Sequence, residues 1–403
     1  MKKISWLFSL LAFPVFLFSQ QIPVNDREIA LKYSFVSGPN NRIFNPTNLY
    51  PFFAKLSLLK DSSRHIISIV HIGDSHIQAD FLSGIVRSRL QNFFGNAGRG
   101  LVFPQQLAQS NAPSDIASSS NTRWTFNRIA HPEIPIDGGV SGFTIRTSNP
   151  QAQFSISLKG VNSEEGFNRM KIFVSQEPTT EWILRTHDEN VLERADSGGA
   201  LHLQLKERIS TASFSLKTFE ENASFYGVSL ENSKPGILYH TIGVNGARFD
   251  HYNGAPLFWQ QLPELKADLY IISLGTNEAQ AATLNPEKFR GEMQALIDRL
   301  KIISPNASLL ITTAPDSYKK GRPNATLRQV NEEIARFCDQ NQIPIWNLYK
   351  ASNGFGSAYS WNKRKLMSRD KVHFTADGYR LQGNLFFNAF AKCYNDFLSM
   401  KKD

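Results

Sequence analysis

Two segments far apart in the chain carry residue types that together support nucleophilic catalysis. Ser75 lies in Gly73-Asp74-Ser75-His76, directly after an apolar run at 65–72. Near the other end of the chain, Asp370 and His373 form an Asp-x-x-His sequence. A serine attacks a carbonyl carbon when a histidine takes its proton, and an aspartate holds that histidine in the required tautomer. These residues predict a catalytic triad, provided that the fold brings them together.

Two further segments carry groups that could stabilise negative charge on an oxygen. They are Gly243-Val244-Asn245-Gly246-Ala247 and Gly275-Thr276-Asn277-Glu278, and each follows an apolar run. The candidate donors of an oxyanion hole are the backbone N–H groups of Ser75 and Gly246 and the side-chain amide of Asn277. Gly243 is the alternative to Gly246. We prefer Gly246, because the next element begins directly after Gly246.

The elements that must position these residues alternate between strands and helices. Short apolar runs predict five buried strands, and helical periodicity follows most of them. This alternation is typical of a parallel sheet with crossover helices, which gathers functional residues at the carboxyl ends of its strands. The predicted strands lie at about 65–72, 237–242, 269–274, 309–313 and 343–348, and the predicted helices at about 51–60, 79–94, 286–304, 325–340 and 376–398.

The segment from 105 to 235 has a different pattern. It contains no convincing long helix, and its apolar residues alternate with period two at 154–159, 201–206 and 214–217. Period two indicates antiparallel strands with one solvated face, and several such strands predict a β-sandwich or jelly roll. We therefore expect an all-β module inserted between the first and second strands of the parallel sheet.

The four segments at 73–76, 243–247, 275–278 and 370–373, in this order, resemble the four sequence blocks of the SGNH (GDSL-type) hydrolases. The resemblance implies an esterase or lipase with a flavodoxin-like α/β/α domain and a five-stranded parallel sheet. It assigns Ser75, Gly246, Asn277 and His373 to the four blocks, with Asp370 completing the triad. The chain differs in one respect, since Glu278 stands where the family often has an aspartate after the third-block asparagine.

A narrower resemblance involves longer stretches around the first block. The segments 73–80 (GDSHIQAD) and 94–104 (FGNAGRGLVFP) are similar to those of bacterial peptidoglycan O-acetylesterases. Those enzymes carry a β-rich module, similar to a carbohydrate-binding module, inserted after the first block. The resemblance implies removal of the acetyl group from the C6 hydroxyl of N-acetylmuramic acid. Other acetylated polysaccharides, lipid acyl esters, or glycan binding by an idle esterase domain remain alternatives.

Composition and the N-terminus indicate an exported, folded protein. Hydrophobic residues make up 41% of the 403 residues and charged residues 20%, which is enough to bury a core. Lys2 and Lys3 precede a short apolar run, so we expect a signal peptide at 1–20 and no stable membrane span after its cleavage. The hydrolase domain is then 21–104 with 236–403, and the inserted module is 105–235.

The formal charge of +9 suits polyanionic surroundings such as a cell wall, but no nucleic-acid motif is present. The expected partner is thus an acetylated glycan, and the expected location is the periplasm or the exterior.

A metallophosphoesterase is the main rival among enzyme classes. Its ligands would come from His71, Asp74, His76, Asp370 and His373. Their spacing does not match the carboxylate and amide clusters of a two-metal site, so we expect neither a metal nor another cofactor.

Cys338 and Cys393 lie in helical patterns and are interpreted as buried side chains, although a disulfide is possible in an exported protein.

Overall fold

The computed structural model describes residues 21–61, 65–130, 137–175, 181–185, 199–218 and 222–401. The expected signal peptide lies outside these ranges. The helices are α1 (Asp26–Lys32), α2 (Tyr50–Asp61), α3 (Ser75–Gln78), α4 (Phe81–Phe94), α5 (Phe249–Asn253), α6 (Pro256–Gln261), α7 (Pro286–Ile303), α8 (Ala325–Gln340), α9 (Leu348–Ala351), α10 (Ala358–Lys363) and α11 (Ala376–Met400).

The strands form two groups, one in the α/β part of the chain and one in the inserted segment. They are β1 (Ile43–Phe44), β2 (Ile66–Gly73), β3 (Gly98–Val102), β4 (Ile116–Ser120), β5 (Thr125–Arg128), β6 (Phe143–Thr147), β7 (Gln153–Leu158), β8 (Phe167–Val174), β9 (Glu181–Arg185), β10 (Leu201–Ile209), β11 (Thr211–Thr218), β12 (Ala223–Glu231), β13 (Gly236–Gly243), β14 (Leu269–Ser273), β15 (Ser308–Thr312), β16 (Tyr318–Lys319), β17 (Arg322–Pro323) and β18 (Ile345–Trp346).

The central sheet has the strand order β1-β18-β15-β14-β2-β13. The strands from β18 to β13 pair in parallel, whereas β1 joins the edge antiparallel through only two residues. The sequence pattern did not predict β1, because a two-residue strand has no periodicity. In chain order the parallel strands are arranged 2-1-3-4-5, so the order reverses beside β2, and ligands bind at such a reversal.

Hydrophobic residues on the two faces of the sheet enter two different cores. In β2, Ile67 and Ile69 face the core formed with α2, α4 and α11, and Val70 and Ile72 face the core formed with α7 and α8. Successive side chains of a strand point to opposite faces, so a strand covered on both sides reads as a continuous apolar run. This burial explains why β2 is mostly apolar on both faces, with Ser68 and His71 as its buried polar residues.

The helices follow the predicted pattern closely. Helix α8 has the predicted bounds, and the Asn324 side chain caps it by accepting a hydrogen bond from Leu327 N at 3.2 Å. The helix predicted at 79–94 is confirmed as α4, which begins two residues later, because Asp80 directly before it has a φ of 59°. A left-handed residue cannot continue a right-handed helix. None of the helices in the described residues is long and apolar enough to cross a bilayer.

The inserted segment contains two antiparallel sheets. One has the order β10-β8-β12-β6-β5, with β3 also paired to β12, and the other has the order β4-β7-β11-β9. Aromatic side chains from both sheets meet between them, with Phe225 packing edge-to-face on Phe154 at 4.9 Å between ring centroids. Phe214 stacks on Phe154 at 4.9 Å as well. This packing of two sheets through a shared aromatic core is a sandwich arrangement.

The junction between the inserted segment and the α/β part is tighter than the sequence pattern suggested. Strand β3 precedes the expected boundary at 105, yet it pairs with β12 in the register Val102↔Val228. It also crosses β13 closely, since a Cβ on Gly100 would lie 2.3 Å from the Tyr239 carbonyl oxygen. A single hydrophobic cluster includes residues of both parts. The two parts therefore share a core.

A buried cluster of charges also ties the two parts together. Asp80 accepts hydrogen bonds from Arg87 Nη1 at 2.5 Å, Arg99 Nη2 at 2.7 Å and Thr241 Oγ1 at 3.0 Å. Asp115, just before β4, accepts from Arg99 Nε at 2.5 Å. Burial alone would raise the pKa of Asp80, but the two arginines outweigh it and hold the pKa below its ordinary value. The cluster thus holds α4, β3 and the inserted segment in one arrangement.

We expect Asp80→Asn to lower the free energy of unfolding by about 3 kcal/mol, because it leaves two buried guanidinium groups without their shared carboxylate. Breaking a buried ion pair typically costs about 3–5 kcal/mol. We expect a loss at the low end of this range, because Asp115 still faces both arginines. Urea denaturation measures the effect. The control is Asp377→Asn, since the pair of Asp377 with Arg380 is exposed and should contribute less than about 1 kcal/mol. Equal losses in the two variants would contradict this account.

Candidate active site

The predicted site residues meet at one edge of the central sheet. Ser75 is the first residue of α3, directly beyond β2. Gly246 follows the end of β13, and Asn277 follows the end of β14. Asp370 and His373 lie in the loop before α11. Because β2, β13 and β14 run parallel, their carboxyl ends deliver these loops to the same place.

The nucleophile, base and acid candidates form a continuous hydrogen-bonded chain. Ser75 Oγ lies 2.8 Å from His373 Nε2, and His373 Nδ1 lies 2.7 Å from Asp370 Oδ2. Both distances are within hydrogen-bonding range. In this arrangement Nε2 can accept the Ser75 proton while the opposite ring nitrogen donates to the carboxylate. The geometry is that of a Ser-His-Asp triad.

A tight strand-to-helix turn presents Ser75. The Asp74 side chain caps α3 by accepting a hydrogen bond from His76 N at 2.9 Å. Gly73 leaves no room for a side chain, because a Cβ there would lie 2.4 Å from Ile77 Cγ1. Burial raises the pKa of Asp74 to about 6, although hydrogen bonds and the neighbouring His373 oppose the rise. The cap is thus buried while Ser75 itself is partly exposed.

A second turn fixes the histidine on its carboxylate. Asp370 Oδ1 accepts hydrogen bonds from Val372 N at 2.9 Å and His373 N at 3.0 Å, and Lys371 between them has a φ of 55°. Partial burial alone would raise the pKa of Asp370, but its hydrogen bonds from the ring and backbone of His373 and from Val372 hold the pKa below its ordinary value. The carboxylate is therefore ionised at neutral pH.

Two other histidines of this region have different surroundings. His71 is buried within β2, between Tyr239 OH at 2.8 Å and Ser273 Oγ at 2.7 Å. It is a satisfied core histidine. His76 is buried and packs beside His373, with 5.3 Å between the ring centroids. Burial, and then the nearby His373, lower the pKa of His76 to about 3, so its ring is neutral.

The two glycine candidates of the second block have distinct environments. Gly243 is the last residue of β13, and a Cβ there would lie 2.3 Å from the backbone nitrogen of Gln78. It is needed for close packing against α3. Gly246 has a φ of 84°, in the left-handed region that favours glycine, and lies in the loop beyond the strand. This placement favours Gly246 over Gly243 as a donor near the substrate.

The third block is linked to the second by side chains. Asn277 Nδ2 donates to Ala247 O at 2.9 Å, and Glu278 Oε1 accepts from Phe249 N at 2.9 Å. Gln78, which the sequence pattern did not single out, also contacts this region by accepting a hydrogen bond from Asn245 N at 2.7 Å. Its sequence signals are its place in the segment 73–80, which carries the narrower resemblance, and its position three residues after Ser75 at the end of the same short helix.

Among the described residues, those of the metallophosphoesterase alternative do not form a shared ligand group. Within the described ranges, no group of three or more His, Cys, Asp and Glu side chains could hold a metal ion. Asp370 and His373 bind each other, and His71 bonds to Tyr239 and Ser273. Cys338 and Cys393 are free and buried, so the possible disulfide between them is not formed.

Comparison with known proteins supports the fold. Residues 215–381 match the GDSL-like Lipase/Acylhydrolase family, a span with the second, third and fourth blocks but without Ser75. A peptidoglycan O-acetylesterase structure matches with a TM-score of 0.75 at 22% identity, covering 86% of this chain and 96% of that one. No curated protein sequence matches. The likeness confirms an α/β fold of the SGNH type.

Two further solved structures match only part of the chain. A lipase/acylhydrolase from Enterococcus faecalis is 18% identical, covers 39% of this chain and 77% of its own, and gives a TM-score of 0.32. An acetyl xylan esterase is also 18% identical, covers 38% of this chain and 81% of its own, and gives the same TM-score of 0.32. Likenesses this partial do not bear on the substrate.

We expect Glu278→Gln to change how stability depends on pH. Burial, with the charges of Asp74 and Asp250, raises the pKa of Glu278 from 4.5 to about 7 despite its backbone hydrogen bonds. Between these values the folded chain binds a proton that the unfolded chain has released, so the contribution of Glu278 to stability falls as pH rises. Glutamine does not titrate, and it retains an acceptor for Phe249 N.

The free energy of unfolding, measured by urea denaturation from pH 4.5 to pH 7, should thus decline less in Glu278→Gln than in the wild type. The matched control is Glu332→Gln, because Glu332 is an exposed carboxylate with a side chain 59% accessible. Its profile should parallel that of the wild type. Parallel profiles for all three proteins would contradict this expectation, because they would show that the pKa of Glu278 is the same in the folded and the unfolded chain.

Proposed function

We propose that the chain is an SGNH-type carboxylic ester hydrolase that removes O-acetyl groups from a cell-wall glycan, and specifically from the C6 hydroxyl of N-acetylmuramic acid in peptidoglycan. The observation that carries the esterase part is the hydrogen-bonded chain from Ser75 through His373 to Asp370. Support for the substrate comes from the likeness to a peptidoglycan O-acetylesterase, which extends over 86% of the chain and thus includes much of the inserted segment.

In the first half of the proposed reaction, Ser75 Oγ attacks the carbonyl carbon of the acetyl ester. His373 Nε2 takes the Ser75 proton, and Asp370 stabilises the imidazolium that forms. The tetrahedral intermediate collapses with cleavage of the bond to the sugar oxygen. His373 gives its proton to that oxygen, so the sugar leaves with a free hydroxyl and the acetyl group stays on Ser75.

In the second half, water replaces the sugar. His373 Nε2 removes a proton from the water as the water oxygen attacks the acetyl carbon. The second tetrahedral intermediate releases acetate, and the proton returns from His373 to Ser75 Oγ. No electron transfer and no additional reactant is required, so the residues of the chain and water are sufficient.

Asn277 is suited to stabilise the oxyanion of both intermediates. Its side-chain nitrogen carries two hydrogens, and one of them is engaged by Ala247 O at 2.9 Å. That bond fixes the amide and leaves the other hydrogen for the substrate. The backbone N–H groups of Ser75 and Gly246 complete the proposed oxyanion hole. Donors fixed in advance are effective because they do not reorganise during the reaction.

The inserted segment at 105–235 would hold the polymer, as a domain similar to a carbohydrate-binding module, while 21–104 and 236–403 form the hydrolase domain. Binding energy from remote sugars can orient the acetyl group on Ser75. This proposal places the chain outside the cytoplasm, in the periplasm or secreted, with 1–20 as its signal peptide. The surplus of basic residues, a formal charge of +9 that falls to +7 without Lys2 and Lys3, suits an anionic wall.

We expect Ser75→Ala to reduce the hydrolysis of p-nitrophenyl acetate by on the order of 10⁴-fold or more, because the triad acts as a unit. The fold should persist, as monitored by circular dichroism. Ser399→Ala is the matched control, since the Ser399 hydroxyl lies on the exposed end of α11 and bonds only locally to Asn395 O. A Ser75→Ala protein with more than about a tenth of the wild-type rate would remove Ser75 from this role.

Asn277→Ala should lower kcat roughly 10²–10³-fold with a smaller change in KM, because an oxyanion donor acts mainly in the transition state. Steady-state kinetics on p-nitrophenyl acetate separates the two constants. Asn253→Ala serves as the comparison, since Asn253 makes a similar side-chain bond to a carbonyl, Glu292 O at 2.9 Å, on the adjoining helices. A higher KM with an unchanged kcat would identify Asn277 as a substrate contact only.

The substrate is tested by acetate release from O-acetylated peptidoglycan, with acetylated xylan and p-nitrophenyl esters of increasing chain length as comparisons. We expect peptidoglycan to give the highest kcat/KM among the polymers and acetate the highest among the small esters. Faster release from xylan would assign another glycan, and preference for long acyl chains would assign a lipase. Binding to peptidoglycan without hydrolysis of any ester would indicate an idle esterase domain.

A further inference from the structure

Gln78 makes hydrogen bonds at both ends of its side-chain amide, next to the nucleophile. It is the last residue of α3, the helix that begins with Ser75, and its exposed fraction is 2%. Its Oε1 accepts from Asn245 N at 2.7 Å. Its Nε2 donates to Ser110 Oγ at 2.8 Å and to Asn111 O at 3.0 Å. One buried side chain thus connects three separate segments.

The first of these bonds acts on the loop that carries the proposed oxyanion donor. Asn245 directly precedes Gly246, whose φ of 84° lies where the backbone has unusual freedom. A hydrogen bond to Asn245 N fixes the orientation of the peptide group next to Gly246. The same loop is held at its start, because the Gln78 backbone packs within 2.3 Å of the Cβ position of Gly243. Gln78 therefore restrains this loop at two points.

The second pair of bonds fixes the direction of the amide itself. Without acceptors for its NH₂ group, the Gln78 amide could rotate and turn that group toward Asn245 N. Two hydrogen-bond donors would then face each other, and no bond would form. Ser110 and Asn111 accept from Nε2 and so keep Oε1 directed at Asn245. Both acceptors belong to the inserted segment, so its first loop contributes to the geometry of the site.

We propose that Gln78 is a positioning residue of the oxyanion hole, which orients the Gly246 N–H through Asn245 and is itself oriented by Ser110 and Asn111. This inference rests on the proposed role of Gly246 as an oxyanion donor. It predicts an effect mainly on kcat, because a misplaced donor weakens binding of the transition state more than binding of the substrate.

The test compares Gln78→Met, Gln78→Glu and Gln91→Met. Methionine has nearly the same volume as glutamine but makes none of the three hydrogen bonds, whereas glutamate keeps an acceptor for Asn245 N. Gln91 is the matched control, since its Nε2 donates to Gly98 O at 2.8 Å and Ile237 O at 3.0 Å, on α4 rather than at the site. For each variant, kcat and KM on p-nitrophenyl acetate and the melting temperature are measured.

We expect Gln78→Met to lower kcat by about 10-fold or more, with KM within roughly 2-fold, because small displacements of an oriented group cost up to ~10²-fold in rate. Gln78→Glu should recover part of the kcat lost in Gln78→Met, because it restores the bond to Asn245 N but not the donation to Asn111 O, and Gln91→Met should leave kcat unchanged. An unchanged kcat in Gln78→Met, an equally low kcat in Gln78→Glu, or an equal loss in Gln91→Met would overturn the proposal.

A variant that fails to fold also gives a defined result in this test. Gln78→Ala replaces Gln78→Met if the methionine variant does not fold, and failure of both would show that Gln78 is structural, which overturns the proposal. Ser75→Ala distinguishes this inference from the proposed function. If Ser75→Ala is inactive while Gln78→Met has the wild-type kcat, only the positioning role fails. If Ser75→Ala is active, the proposed function fails first.

Discussion

The hydrogen bond between Ser75 Oγ and His373 Nε2 joins residues 298 positions apart, and the rest of the architecture serves to bring them within 2.8 Å. Ser75 is fixed by the end of β2, which lies between β14 and β13 in the sheet. His373 is fixed by its turn on Asp370 and by α11, which packs on the same face as α4. The positions of Ser75 and His373 both depend on the hydrophobic cores that cover the two faces of the sheet.

The inserted segment is part of this structure rather than an appendage. Its sandwich shares a hydrophobic cluster with the face of the sheet opposite α11, and β3 bridges the two parts. The Asp80, Arg87, Arg99 and Asp115 cluster adds charged contacts across the same junction. Removing the segment would expose the apolar surface of the α/β part that the segment covers. Its contribution to activity is therefore better studied with point variants than by deletion.

The sequence predicted the site better than it predicted the junction. Ser75, Asp370 and His373 could be grouped because catalytic chemistry constrains residue type, spacing and position after a strand, and α8 could be bounded because its apolar face and Asn324 cap are local signals. The buried charge cluster around Asp80 depends on Arg87 and Arg99, and β3 is recognisable only through its partner β12. Such features result from tertiary contacts and have no period in the sequence.

The central claim, that Ser75 is the nucleophile activated by His373, is tested most directly by covalent labelling. The wild-type chain is treated with a serine-reactive organophosphonate, and the modified peptide is identified by mass spectrometry while residual esterase activity is followed. The account predicts one adduct per chain, on Ser75, forming in step with the loss of activity and absent after His373→Ala. Loss of activity without modification of Ser75, or an adduct on another residue that accounts for it, would contradict the account.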